Sequence, residues 1–449
     1  MLGCIIVQRA TARISVGVSK RNTSVLSRGG YVARAIIVGA GMVGLATAWH
    51  LQERGYDVKV VDRDGVAAGS SWGNAGWLAP AKTIPLAESG LWGQAPSLLL
   101  DPDAALSMPF KVDVRLWKFL AQFMAHASDS AWDKTMEKLT PIDKVALEAF
   151  DELELGGVEA KSHEGPFVIG FKSEPDSRGF FKEIAGAIRY GQEVEINRVD
   201  DPQSMVPILS DEIQAVYRLE GQRFIEPGPY VEAIAKAVTD RGGEVVTGKA
   251  VESVEGGAKA AVVYSDGTRE EADKVVVASG AWLSDLVRDH GVKVPVQAGR
   301  GYSFSVATPE PIKHSVYLPQ QRIACTPYQG RFRIAGTMEF RDPDDPLIPR
   351  RIESIVNNSR VAFRDVDLDD RQDEWVGSRP VTPDGLSLIG ETKSRNVFVA
   401  GGHGMWGIVL GPATGKYLAE LIDTGVTNDV IKPMDPLRKN LTSVNPFKK

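Results

Sequence analysis

From Ala35 the chain turns abruptly apolar. Ile36-Ile37-Val38 reads as a short buried strand, Gly39-Ala40-Gly41-Met42-Val43-Gly44 as a glycine turn, Leu45–Leu51 as a helix and Val58–Val61 as a second strand that stops at Asp62. Further along, the spacing of Leu116, Trp117, Phe119, Leu120 and Phe123 predicts a helix with one apolar face over Val112–Met124. Val245–Val254 and the strand Ala272–Ala278, ending in Ser279-Gly280-Ala281-Trp282, read as a return to a second βαβ-like edge. Val397–Gly401 is again a strand, followed by a glycine turn and a helix expected from about Pro412 to Ile422. Residues 1–33 carry no such period.

The first of these patterns has a physical reading. Gly39 allows a tight turn, Gly41 lets the backbone approach a pyrophosphate, and Gly44 lets the helix pack against the sheet. The free N–H groups of Met42 and Val43 then open the helix toward the phosphates. Asp62, 18 residues beyond Gly44, can accept from both hydroxyls of a ribose and would repel a 2′-phosphate, which disfavours NADP. A dinucleotide site follows from this βαβ context; NAD and FAD share the fingerprint. The choice comes from the small-residue loop Gly69–Trp77, the returning strand at Ala272–Ala278, and the terminal loop Gly401–Gly407, whose helix faces the same crevice.

Composition narrows the partners. The 449 residues carry a formal net charge of −6, and residues 1–33 hold five basic residues and no acid, so the remainder is more acidic still. Such a body lacks the basic stripe a nucleic-acid partner demands, and a small-molecule substrate is expected. Two cysteines, Cys4 and Cys325, exclude a disulfide framework and fit a reducing, cytoplasmic compartment. No CxxC pair, metal-ligand cluster or GxSxG elbow occurs, so no metal is expected. Residues 1–33 are read as a non-structural leader: a mitochondrial transit peptide, a disordered arm, or an extension upstream of a start at Val32. The apolar face of Val112–Met124 leaves peripheral contact with a membrane open, and its simpler reading is a core-facing helix. Oligomeric state is not encoded in any motif.

Four segments carry a resemblance: Ser71-Trp72-Gly73-Asn74-Ala75-Gly76; Gly299-Arg300-Gly301-Tyr302-Ser303; Trp375 to Gly385 with its Ser378-Arg379-Pro380; and Gly402-His403-Gly404 with Gly411-Pro412-Ala413-Thr414-Gly415. Over Arg34 to about Gly425 the chain resembles the D-amino-acid oxidase/glycine oxidase superfamily, most of all bacterial D-amino-acid dehydrogenase. The resemblance implies an α/β fold with a Rossmann-like FAD-binding domain assembled from residues 34–112, 222–290 and 372–430. An α+β substrate domain with an antiparallel sheet, residues 113–221 and 291–371, is inserted, and 431–449 is left as a C-terminal tail. It also implies oxidative deamination of a small D-amino acid, with hydride passing from Cα to flavin N5 and electrons to a quinone or other carrier. Alternatives are a glycine, sarcosine or D-proline-type oxidase using oxygen, a flavoprotein subunit of a larger amine dehydrogenase, and an NAD-linked dehydrogenase.

Candidate residues follow. Cofactor contacts are expected from Gly39, Gly41, Met42, Val43, Gly44, Asp62, Arg63, Ser70, Ser71, Asn74, Ala75, Gly76, Val251, Gly280, Gly402, His403, Gly404, Met405, Trp406 and Gly407. Arg379 resembles the family's carboxylate-binding arginine, and its planar fork suits that task. Tyr302 is a second candidate for the carboxylate or for closing the pocket, set against a core tyrosine. His403 would help deprotonate the substrate ammonium or hold cofactor or backbone in place. Met405 stands where glycine-oxidase-like relatives can carry a second arginine. Cys325 lies outside the linkage motif of covalently flavinylated relatives and is expected to be a buried thiol.

Overall fold

The computed structural model describes residues 31–93, 106–108 and 113–439. The leader expected over 1–33 therefore falls, as far as residue 30, outside the described residues. Strand β1 (Arg34–Val38), helix α1 (Met42–Glu53) and strand β2 (Asp57–Val61) form the first βαβ unit, with α1 three residues longer than expected at its start and two at its end.

Around that unit a six-stranded sheet assembles in the order β6–β2–β1–β10–β17–β16, where β6 is Glu244–Val246, β10 Lys274–Val277, β16 Leu388–Glu391 and β17 Val397–Gly401. All pairs are parallel except β16–β17. The sequence placed Val245–Val254 and Ala272–Ala278 together at one edge; the structure separates them. Val246 ends the edge strand, whereas β10 lies between β1 and β17, at the centre. Val251–Glu255 leaves this sheet for a small antiparallel one with Ala260–Tyr264 and Arg269–Ala272. Burial explains the split: Val275, Val276 and Val277 are fully buried, as a strand covered on both faces requires.

Helix α7 (Gly407–Thr424) crosses α1 closely, because a Cβ at Gly411 would lie 2.5 Å from Met42 Cγ and one at Gly415 2.6 Å from the Ala46 carbonyl carbon. The helix starts five residues before Pro412, the residue expected to open it. Pro412 gives up a single hydrogen bond, to the Ile408 carbonyl, and its neighbours Gly411 and Ala413 leave room for the ring.

The second sheet is nine-stranded and mostly antiparallel. Its main path joins β15 (Arg371–Val381), β11 (Gln297–Val306), β14 (Arg331–Phe340), β13 (Ile323–Tyr328), β12 (Val316–Leu318), β3 (Phe167–Phe171), β5 (Ala215–Leu219) and β4 (Ile196–Val199), with Leu106–Ser107 pairing on β14. Helix α2 (Val114–His126) turns Leu116, Phe119, Leu120 and Phe123 into a core with Phe340 and leaves Val114 and Trp117 exposed. No helix among the described residues is long and apolar enough to cross a membrane.

Two expected boundaries move. Helices α3 (Asp129–Lys144) and α4 (Ala146–Leu155) bury Leu139, Ile142, Ala149, Phe150 and Leu153 in the same core as α1 and α7, so this stretch packs with the nucleotide-binding layer and not with the inserted sheet. Of the tail expected over 431–449, the described part, residues 431–439, is packed against the fold. Ile431 and Met434 are fully buried, and Arg438 binds both oxygens of Asp384 at 2.8 and 2.9 Å and the carbonyls of Leu386 and Ser387. From Ala33 on, the described residues form one compact unit.

Candidate functional site

A cleft of about 280 Å³ opens at the carboxyl ends of the parallel strands, where an open α/β sheet binds its ligands. Its floor is the turn after β1. Gly39 has φ +116°, a region closed to other residues, and a Cβ there would stand 2.4 Å from the Ala278 carbonyl oxygen. Gly44 is closed too, its Cβ position lying 2.0 Å from the Gly39 oxygen. Gly41 differs, since a Cβ on it would meet only Ser71 Oγ at 3.3 Å and otherwise project toward the cleft. Helix α1 has no acidic residue in its first turn and no side-chain cap, so its N-terminal dipole favours an anion at this mouth.

Asp62 at the end of β2 is more constrained than the sequence suggested. Its Oδ2 accepts from Ala40 N at 2.8 Å, and its Oδ1 from Asp64 N and Gly65 N at 2.9 and 3.1 Å. Of roughly four acceptor directions on a carboxylate, three are used, which leaves room for one ribose hydroxyl and not two. The loop expected along a cofactor divides. Gly69, Ser70, Ser71 and Asn74 line the cleft. Ala75 and Gly76 turn away, Ala75 accepting from Thr326 Oγ1 and Gly76 seated against Ile225.

Val251 and Gly280 line the cleft, and so do Arg63, Gly404, Met405 and Gly407. Gly44, Gly402 and Trp406 do not; they shape the backbone around it. Lys249, Ala250, Glu252, Ala278, Ser279 and Trp282 line the cleft as well; the sequence singled out their segments, Val245–Val254 and Ala272–Trp282, but within them only Val251 and Gly280 as contacts. Lys249 and Ala250 follow the parallel strand β6, Ala278, Ser279 and Trp282 follow β10, and Glu252 lies in the antiparallel strand Val251–Glu255.

At the far end stand Arg379 and His403. On the face of β15 shared by Trp375, Gly377 and Arg379, the guanidinium reaches over Gly301 of β11 and into the cleft. Arg379 has no ion pair or hydrogen bond among the described residues, and burial alone lowers its pKa to about 10, so it remains charged at neutral pH. His403 is buried, its Nε2 2.9 Å from Thr414 Oγ1, and burial lowers its pKa to about 4; the imidazole is neutral at pH 7.

Tyr302 is not in the site. It follows Gly301 in β11, and alternation along a strand sends it to the opposite face, where it is fully buried in the inserted domain's core with its hydroxyl on Glu339. Arg300, on that same face, bonds the Pro346 carbonyl. Cys325 is a buried free thiol, its pKa pushed up by burial.

The residues fit an FAD: the N-termini of α1 and α7, whose N-cap residues supply no side-chain cap, an acceptor at Asp62, an open glycine cradle and a cleft lined from Lys249–Glu252 to Arg379. The family profile described as FAD dependent oxidoreductase (DAO) matches residues 34–421. Among solved structures, glycine oxidase from Geobacillus kaustophilus aligns at 21% identity over 91% of this chain and all of that one, with a TM-score of 0.68. L-proline dehydrogenase from P. horikoshii aligns at 16% identity over 91% and 97%, also at 0.68. L-amino acid deaminase from Proteus vulgaris aligns at 16% over 91% and 98%, at 0.63.

Proposed function

The chain belongs to the DAO family of FAD-dependent oxidoreductases, and on that premise we propose that it deaminates a small D-amino acid oxidatively, handing the electrons to a quinone or other carrier. The observation that carries this reading is Arg379, a charged guanidinium at the end of the cofactor cleft with no ion pair or hydrogen bond among the described residues. A half-buried cation without a counter-charge beside it is poorly compensated, and an anionic ligand relieves that cost. The planar fork matches a carboxylate in bidentate geometry.

When bound, FAD supplies the hydride acceptor at flavin N5, and the chain supplies orientation and electrostatics. Arg379 fixes the substrate carboxylate and thereby the direction of Cα. Neutral His403, held by Thr414, adds no positive charge beside a substrate ammonium, which must lose a proton before hydride leaves. The products are the imino acid, which water converts to the 2-oxo acid and ammonia, and a two-electron-reduced cofactor. The D configuration and the carrier rest on the motif resemblance, and Met405 in place of a second arginine argues against glycine oxidase proper.

The test is dye-linked turnover of D- and L-amino acids, glycine, sarcosine and D-proline, with a D-amino acid compared to its amide. Arg379→Ala should lower kcat/KM for the acid by about tenfold to a hundredfold, with flavin content near normal, and Arg379→Lys should restore part of it. Equal slowing of acid and amide, or loss of flavin, overturns the assignment. Turnover confined to L-amino acids or to glycine overturns the D-specific reading.

A further inference from the structure

We infer that Asp344 is a clasp across the mouth of the cofactor cleft, joining the ends of β2 and β10 above the phosphate-binding turn and slowing the departure of bound flavin. In the sheet order β2–β1–β10, the glycine turn after β1 lies between the other two strand ends. Arg63 follows β2 and Trp282 follows β10; both line the cleft. Asp344 belongs to neither, coming from the turn after β14 in the inserted sheet.

Its carboxylate takes one donor from each side. Arg63 Nη2 reaches Oδ1 at 2.7 Å and Trp282 Nε1 reaches Oδ2 at 2.9 Å. The Arg63 guanidinium also lies 4.0 Å from the centre of the Trp282 ring, and its Nε is held by Asp64 at 2.9 Å. The three side chains thus close a triangle over the crevice. The turn that presents Asp344 is itself fastened to the inserted sheet, through Ser378 Oγ to the Pro343 carbonyl at 3.0 Å and Arg300 Nη1 to the Pro346 carbonyl at 3.1 Å. Ser378 neighbours Arg379 in β15, so the strand that presents the candidate substrate arginine also anchors the clasp.

The contact is exposed, with 39% of the Arg63 and 56% of the Asp344 side chain accessible, so its strength is modest and responds to salt. A modest barrier suffices to change a rate. The experiment is the first-order release of flavin from the holoprotein, followed by the rise in flavin fluorescence after dilution. Asp344→Ala should release flavin about threefold to tenfold faster. Added salt should accelerate release from the unaltered protein and leave Asp344→Ala almost unaffected. Adding Arg63→Ala to Asp344→Ala should speed release by less than Arg63→Ala does alone, because the shared contact is already gone. An unchanged release rate or independent effects of the two substitutions would each overturn the clasp. Failure to hold flavin at all would instead contradict the cofactor cleft, a separable result.

Discussion

The guanidinium of Arg379 lies flat against the backbone of Gly301 on the neighbouring strand: a Cβ at Gly301 would stand 1.8 Å from Nη1 and 2.1 Å from Cζ. The glycine is the seat of the arginine. Gly301→Ala should therefore leave the fold intact, since the displaced group is the end of a flexible side chain, while moving the fork off its line. The expected result is normal flavin content with kcat/KM for an amino acid reduced by about tenfold or more. Steady-state kinetics beside visible absorbance checks it, and full activity would show that Arg379 tolerates a different path.

The glycines of the nucleotide turn should separate by phenotype. Gly41→Val adds a side chain facing the cleft, so the protein should fold and purify without its yellow colour. Gly44→Ala drives a methyl into the Gly39 carbonyl, whose backbone cannot yield, and should lower the melting temperature of the flavin-free protein as well. Absorbance near the flavin band and thermal melting distinguish the two.

Buried neutral histidines make stability fall on the acid side. Burial lowers His403 to about 4, and burial followed by Arg54, Lys416 and Arg241 lowers His50 to about 3. Below pH 6.5 the unfolded chain takes up protons that these sites refuse, so stability should decline as pH falls from 6.5 toward 4 and level off for His403 below that. The full contribution of His403 is on the order of 3 kcal/mol. His403→Asn should flatten the denaturation profile between pH 6.5 and 4. A profile of unchanged slope would contradict a neutral buried imidazole.

Arg438 gathers the two oxygens of Asp384 and three carbonyls, of Leu386, Ser387 and Asp435, at the end of the described chain. Arg438→Ala leaves a largely buried carboxylate unpaired, and a loss of about 2–4 kcal/mol in denaturant unfolding is expected, with Arg438→Lys recovering part of it. No change would mean that residues 431–439 contribute little.

The sequence by itself determined the local pieces: the β1–α1–β2 unit, the glycine turn, the acid at Asp62, the arginine in Ser378-Arg379-Pro380 and the strand–turn–helix near His403. Each is set by periodicity, glycine sterics or side-chain chemistry within a few residues, or by a motif carried in one stretch. Tertiary structure decided what depends on which strands become neighbours. β10 entered the centre of the sheet and not its edge, Tyr302 fell on the far face from Gly301, and three of Asp62's acceptor directions went to backbone N–H groups. The meeting of Arg63 with Asp344 across 281 positions likewise has no local signal. Strand order and register arise from packing two sheets and their helices into one body, a balance of long-range burial that no short window of sequence contains.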